Sequence, residues 1–371
     1  MPLYLTDDQA MLRDTARSFM AGEGAIAKQL RHWRDKGCGD GFGHDLWKQF
    51  AEMGFTGILV DEADGGLGLG HVEAGIVLEE IGRNLTPSPF LTSAVVFVEA
   101  LKGSAHKDRW YPGILAGETV AALAVDEGPK HRPEAIEMRA ERSGNGFRLS
   151  GRKQFVVHGA SADVTLVAAQ SDEGMTLFAV EKGAKGLEVE GVRLADSSIG
   201  ARMMFENVEV DADAVVGEVG GGEVVLSRVL NAGRTGAAAE LVGVGAAAME
   251  MTVDYLKQRK QFGRLIGEFQ ALQFRAAHLY SELEIARAAT LKAQQLLDEG
   301  GDGAEAMVSV AKAKAGRASL LAVQEGVQMH GGIGMTDEYD IGLYMKRDRV
   351  LNELFGDPAY HADRLARMKG Y

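Results

Sequence analysis

Arg259-Lys260-Gln261-Phe262-Gly263 and Gln328-Met329-His330-Gly331-Gly332-Ile333-Gly334 each close a long helical pattern. Arg259 offers a planar fork of donors suited to a pyrophosphate. Phe262 supplies an apolar wall, and Gly263 reads as the stop of the helix. Gln328 carries both a donor and an acceptor, as an adenosine or ribityl chain requires. Gly331 and Gly332 lack Cβ atoms, so backbone there can approach a cofactor closely. Each residue has a plainer alternative. The glycines cap a helix, and Arg259 pairs with a surface acid. Only their joint occurrence points to a cofactor.

Outward from these stretches, three long amphipathic helices are predicted over 233–259, 266–299 and 305–330. The N-terminal part, residues 6 to about 117, also reads as helical. Thr6 with Gln9 forms a capping box, and Leu46–Met53 is a helix stopped by Gly54. The glycine run 65–70 precedes a helix at 72–81, with no strand feeding it as a dinucleotide loop requires. Between these helical parts the period changes to two. Asn145-Gly146 signals a hairpin, and β-rich runs recur at 164–168, 175–180, 187–192 and 203–210. The expected fold class is therefore α+β. It has an N-terminal helical domain (1–117), a middle β-barrel-like domain (118–222) and a C-terminal four-helix bundle (223–371).

Composition narrows the function. A formal net charge of -13 repels nucleic acid and anionic lipid. It leaves room for an anionic cofactor held by a local arginine. A single cysteine, Cys38, excludes an internal disulfide and any thiolate zinc site. This fits a cytoplasmic location, and the N-terminus lacks a signal pattern. No apolar run reads as the roughly 20 residues of a membrane span. The histidines show no ligand spacing, so no metal site is expected. His158 and His330 read as structural.

The Arg259–Gly263 stretch continues into Phe269-Gln270-Ala271-Leu272-Gln273. Together with His330–Gly334 and Tyr344-Met345-Lys346-Arg347 it resembles the acyl-CoA dehydrogenase family. Leu5-Thr6-Asp7-Asp8-Gln9 and the glycine loop 65–70 extend the likeness over nearly the whole chain. Leu354-Phe355-Gly356-Asp357 is similar to the small-subunit type, such as pimeloyl-CoA dehydrogenase small subunits and partners in heteromeric steroid-degrading dehydrogenases. The resemblance implies FAD as cofactor and an acyl-CoA substrate desaturated at its α,β bond. It also implies an electron-transfer flavoprotein as acceptor and a homo- or heterotetramer containing a larger subunit. In the family, Arg259, Phe262, Gln328, Gly331 and Gly332 would reach the flavin of a neighbouring subunit.

Two departures stand out. At positions where the family's hydroxyls bond its own flavin, this chain has Val125 and Val157. His131-Arg132 replaces Ser-Asp, and Phe155 keeps an aromatic wall. The second departure is the base that takes the α-proton. Counted without gaps from Gly331, the usual glutamate falls on Phe355, and the alternative glutamate falls on Gly233. The nearby acids proposed instead are Glu240 and Asp357. Asp357 also reads as an N-cap of the last helix. Glu240, in a run of small residues, is either buried for a purpose or solvent-facing.

Two functions follow: an active FAD-dependent acyl-CoA dehydrogenase with a displaced base, working as a small subunit, or a non-catalytic partner that only completes the flavin site of a larger subunit. Ala237–Ala239, Gly243, Gly245 and Ala246–Ala248 form a small-residue face, taken as the surface for association between subunits.

Overall fold

The computed structural model describes residues 3–371. Helices α1 (Asp7–Gly22), α2 (His32–Asp35), α3 (His44–Glu52), α4 (His71–Asn84), α5 (Val98–Leu101) and α6 (Lys107–Leu115) come first. Strands β1 (Ala121–Ala124), β2 (Arg139–Ser143), β3 (Gly146–Val157), β4 (Val164–Ser171), β5 (Gly174–Glu181), β6 (Leu187–Arg193) and β7 (Ile199–Val210) follow. Helix α7 (Gly222–Gln258), a hairpin of β8 (Lys260–Gln261) and β9 (Arg264–Leu265), and helices α8 (Gln270–Glu299), α9 (Ala304–His330), α10 (Ile341–Glu353) and α11 (Pro358–Met368) complete the chain. The helix–strand–helix order matches the expectation from the change of period.

The contacts divide the chain into two units. One gathers the chain up to Gln29, His71–Thr86 and Arg234–Tyr371; the other gathers Leu30–Gly70 and Pro87–Gly233. In the second unit a curled seven-stranded sheet has β4 at its heart. β5 runs antiparallel along its full length, while β1 pairs its first half in parallel. β2 touches its end through Arg139 and Gln170, then leads to β3, β7 and β6 through a hairpin whose tip is Gly144-Asn145, one residue before the expected Asn145-Gly146, because Gly146 already pairs with Ser143. The sheet curls over Phe147, Val167, Phe178, Met203 and Phe205, all buried. Alternate residues of β7 face this core, which is why the period of two was legible. In the same unit, Gly66 of the glycine loop lies so close to Val60 that any side chain there would collide with its carbonyl. Backbone bonds Gly68 N to Val60 O and Leu69 N to Ile58 O seal the loop. These glycines serve close packing.

In the first unit, α1 packs on α4, α4 on α8, and α9 on α8, α10 and α11. Thr6 and Gln9 make the reciprocal capping box. Three expectations need correction. First, α7 starts at Gly222 and carries Gly233 in its interior, because burial of its neighbours outweighs the local cost of glycine. It is long and apolar enough to cross a bilayer by length and composition, yet 78% of its most apolar window is buried. Second, the small-residue face is consumed inside the subunit. A side chain on Gly243 would strike the carbonyl of Glu79, one on Gly82 that of Glu240, and one on Gly245 the Leu283 side chain. Helix contacts this close need small residues, so the stripe is no free surface for another copy. Third, Gly263 does not stop the helix. α7 ends at Gln258, and Gly263 turns the following hairpin.

Candidate functional site

The hairpin after α7 has a two-residue tip, Phe262 at φ 54° and Gly263 at φ 80°. Two successive positive φ values make the type I′ turn that suits tight hairpins. Glycine adopts it freely, and phenylalanine does not. Phe262 is nevertheless 92% exposed, and its ring meets Phe269 edge-on at 6.3 Å between centroids, a contact worth less than the strain of its backbone. The Arg259 side chain is exposed too, and makes no ion pair or hydrogen bond among the described residues. Arg264 lies 4.2 Å over the Phe269 ring and steadies the base of the hairpin.

The second motif ends α9. Leu256, Ile266 and Met329 form one buried cluster with Tyr255, Phe269 and Leu272. That cluster brings together two stretches about seventy residues apart in the chain. Gln328 is exposed, and Gly331 and Gly332 face open space where a Cβ would meet nothing within 4 Å. Gly331 also closes α9 at φ 64°, so the capping role and the open approach coexist. His330 sits beneath, with its ring 4.5 Å from Tyr255 and 4.8 Å from Tyr339. Its Nδ1 meets Gly326 O at 2.6 Å, which makes Nδ1 the protonated nitrogen. Nε2 is buried without a partner among the described residues, and burial lowers the pKa. Arg259, Phe262, Gln328, Gly331 and Gly332 thus crowd the surface around one buried cluster.

The acids proposed as bases lie deeper in the same unit. Glu240 is 1% exposed and accepts from Arg347 of α10, Nε to Oε1 at 2.8 Å. Asp357 accepts from Tyr360 N at 2.7 Å as the N-cap of α11. Between them runs the turn Leu354-Phe355-Gly356, where Phe355 has φ 60° and Gly356 φ 104°. Phe355 O accepts from Arg234 Nε at 3.3 Å and from His361 Nε2 at 3.1 Å. Arg234 also donates to Tyr360 Oη at 3.2 Å. Neither Phe355 nor Gly356 supplies a carboxylate, and neither does Gly233.

In the other unit, the loop after β1 is knit by its own side chains. Val125 and Val157 are buried and apolar. His131 Nδ1 meets Asp126 at 2.9 Å. Fully buried Lys153 donates to Val125 O at 3.1 Å and to Glu127 at 2.7 Å, and burial lowers its pKa. Glu127 also accepts from the backbone of Glu137 and Met138. Phe155 adopts φ 52° at a bulge between Lys153 and Val156 and is half-buried, while Arg132 is exposed.

Three family models match in chain order. Residues 6–118 match the acyl-CoA dehydrogenase N-terminal domain, 126–208 the middle domain and 220–369 the C-terminal domain. The chain belongs to the acyl-CoA dehydrogenase family. Similar relatives include the isovaleryl-CoA dehydrogenase of Solanum tuberosum, 32% identical over 84% of this chain and 78% of that protein. Cyclohex-1-ene-1-carbonyl-CoA dehydrogenase of Geobacter metallireducens is 31% identical over 95% of both. Among solved structures, the Tcur3481-Tcur3483 steroid ACAD variant superimposes with TM-score 0.90 at 29% identity, covering 98% of each chain. The ChsE4-ChsE5 complex of Mycobacterium tuberculosis gives 0.91 at 25% identity, over 100% of this chain and 99% of that one.

Sequence reasoning gave no role to Arg234, His361 and Lys312, the buried donors around the Leu354–Gly356 turn, and did not pair the half-buried Arg347 with Glu240. For Lys312 the signal was present. It falls at helical spacing with Val308, Ala311, Ala315 and Ser319, all buried on one stripe of α9.

Proposed function

We propose that this chain is one subunit of an FAD-dependent acyl-CoA dehydrogenase, and that it works as the small subunit of a heteromeric enzyme. When bound, the flavin supplies the acceptor for the hydride leaving the β-carbon of an acyl-CoA thioester. Arg259 would meet a phosphate of a flavin held by the partner, Gln328 a hydroxyl, and Gly331 and Gly332 would let backbone approach. Phe262 would wall the site. These groups fit such a cofactor, because they are exposed and gathered on one surface, and the side chains of Arg259 and Gln328 make no ion pair or hydrogen bond among the described residues. The loop at Val125 and Val157 does not fit a flavin of the chain's own. It offers no side-chain hydrogen bond at those two positions, and a buried polar atom left unpaired costs about 1–3 kcal/mol.

The observation that carries this reading is the contrast between the Arg259 side chain, which has no ion-pair or hydrogen-bond partner among the described residues, and the loop after β1, where Asp126 pairs with His131 and Glu127 with Lys153. The state of Glu240 and Asp357 supports it: one is ion-paired, the other caps a helix. Electrons would pass from the partner's flavin to an electron-transfer flavoprotein.

Flavin content and turnover with an artificial acceptor test the proposal, measured for the chain alone and for the chain co-expressed with a larger acyl-CoA dehydrogenase subunit. The lone chain should carry little flavin and turn over little acyl-CoA. In the assembly, Arg259→Ala should lower flavin affinity roughly tenfold, the worth of one charge-assisted contact. Strong turnover by the lone chain, lost in Glu240→Gln or Asp357→Asn, would overturn it and identify the base.

A further inference from the structure

A cleft of about 540 Å³ lies wholly within the first unit, between α1, α4, α7 and the start of α10. Its charges are those of Arg17, Glu80, Arg83, Glu250 and Asp254, three carboxylates against two guanidinium groups. The arginines are already engaged. Arg17 donates to Glu80 Oε1 through Nε at 3.2 Å and Nη2 at 2.9 Å. Arg83 turns its Nη2 to Glu250, which leaves its Nε 3.6 Å from Glu80 Oε2, beyond hydrogen-bond reach. Glu80 is 1% exposed, and that second oxygen has no hydrogen bond among the described residues. A carboxylate oxygen left unsatisfied at that depth is costly. Glu250 and Asp254 stand one turn apart on α7, where like charges repel. The Asp254 carboxylate is exposed and makes no ion pair or hydrogen bond among the described residues. Glu80 and Glu250 thus compete for Arg83, and Asp254 has no counterion.

Aromatic rings complete the wall. Tyr344 is fixed by its hydroxyl, which donates to Arg83 O at 2.6 Å. Tyr255 and Tyr339 stand 6.4 Å apart between centroids at 65°, both packed on His330. Three of the chain's eight tyrosines therefore line one cleft, and the negative faces of such rings attract the same sign of ligand as the carboxylates do. We propose that the cleft binds a small organic cation with N–H donors, an alkylammonium or guanidinium group, seated between Glu250 and Asp254 against the tyrosine rings. Such a group gives Asp254 its counterion, relieves the repulsion from Glu250 and frees Arg83 to close on Glu80 Oε2. An anion of the same size would meet two arginines already engaged and an unpaired carboxylate. The site does not depend on which subunit holds the flavin. Asp254, Tyr255 and Gln258 sit at the end of α7, just before Arg259. Two sources of the cation therefore fit: a free amine, or a lysine or arginine side chain of an adjoining subunit.

A nuclear magnetic resonance titration of the full chain with n-butylammonium tests it, at low ionic strength and read at the methyl group of Met251, which lines the cleft. Saturable shifts are expected with butylammonium and none with butyrate. Tetramethylammonium, which has no N–H to donate, should bind several-fold more weakly. Asp254→Asn should raise the Kd about threefold to fivefold, the worth of an exposed ion pair. Tyr339→Leu should raise it about threefold, the worth of one cation–π contact. Asp254 is exposed, so its variant keeps the fold. The same titration on the assembly with a larger subunit separates the sources. Binding lost there identifies a basic side chain of that subunit as the occupant, binding kept there a free amine, and either result upholds the site. The absence of a saturable shift with butylammonium in the lone chain would overturn it. So would tighter binding of butyrate, or an affinity unchanged in Asp254→Asn.

Discussion

Phe262 and Phe355 share an unusual backbone, at φ 54° and φ 60°, in the same unit of the molecule. Their surroundings are opposite. Phe355 is 7% exposed, its carbonyl held by Arg234 and His361, with Lys312 on the next residue. Phe262 is 92% exposed at a hairpin tip, with its ring meeting the edge of Phe269. Strain of this kind costs on the order of 1–3 kcal/mol and must be offset somewhere. At Phe355 the chain supplies the offset itself. At Phe262 the edge contact with Phe269 offsets only part of it, which is why the hairpin reads as built for something outside the subunit. One turn is fixed before assembly; the other gains its purpose by assembly.

The sharpest way to break this contrast is Gly356→Ala. At φ 104° alanine is strained, and its methyl would collide with the Tyr360 ring. The expected loss is roughly 3 kcal/mol of stability, measured by denaturant unfolding. A loss below about 1 kcal/mol would mean that the turn yields easily and is not over-determined.

The dependence of stability on pH is a second test, because the buried turn should respond and the exposed hairpin should not. Lys312 is held at about 7 and Arg234 at about 10, chiefly by burial, while the unfolded chain keeps both protons to higher pH. The unfolded state therefore binds more protons between about pH 7 and 10, and stability should rise across that window. Asp348 acts in the opposite sense. Burial raises it from 3.8 to about 6, so the folded state keeps a proton that the unfolded state has lost. Stability should fall from about pH 4 to 6 on its account. A thermal midpoint that passes through a minimum near pH 6–7 is the expected outcome. A midpoint that falls steadily above pH 7 would contradict it.

The smallest effect lies on the exposed side. Phe262→Asn creates the Asn-Gly pair that a type I′ hairpin favours. It should raise the stability of the lone chain by about 0.5–1 kcal/mol while weakening flavin retention in the assembly. A lone chain destabilised by the change would show that the contact with Phe269 outweighs the backbone strain.

Much of this was legible in the sequence. The capping box at Thr6, a hairpin within one residue of Asn145-Gly146 and the order of helical and strand periods depend on residues near one another in the chain, so pattern sufficed. The motif residues Arg259, Gln328, Gly331 and Gly332 were likewise legible as a set, through their type and order. What Gly263 does was not. A glycine after a helical run serves a helix stop or a hairpin tip equally well, and the pairing of Lys260 with Leu265 decides between them.

The fate of charged and small residues was settled only by tertiary structure. Nothing local distinguishes Glu240 as a base from Glu240 as the partner of Arg347, because the two lie more than one hundred residues apart. The alanine and glycine stripe of α7 advertises close contact, and only the packed bundle assigns that contact to α4, α8 and α9 within the subunit. Sequence alone determined the family, the element order and the residue types available for chemistry. It did so because period, capping and motif order are properties of neighbours along the chain. Tertiary structure alone decided which charges are already spent and which remain free, because desolvation and pairing depend on what long-range packing brings within a few ångströms.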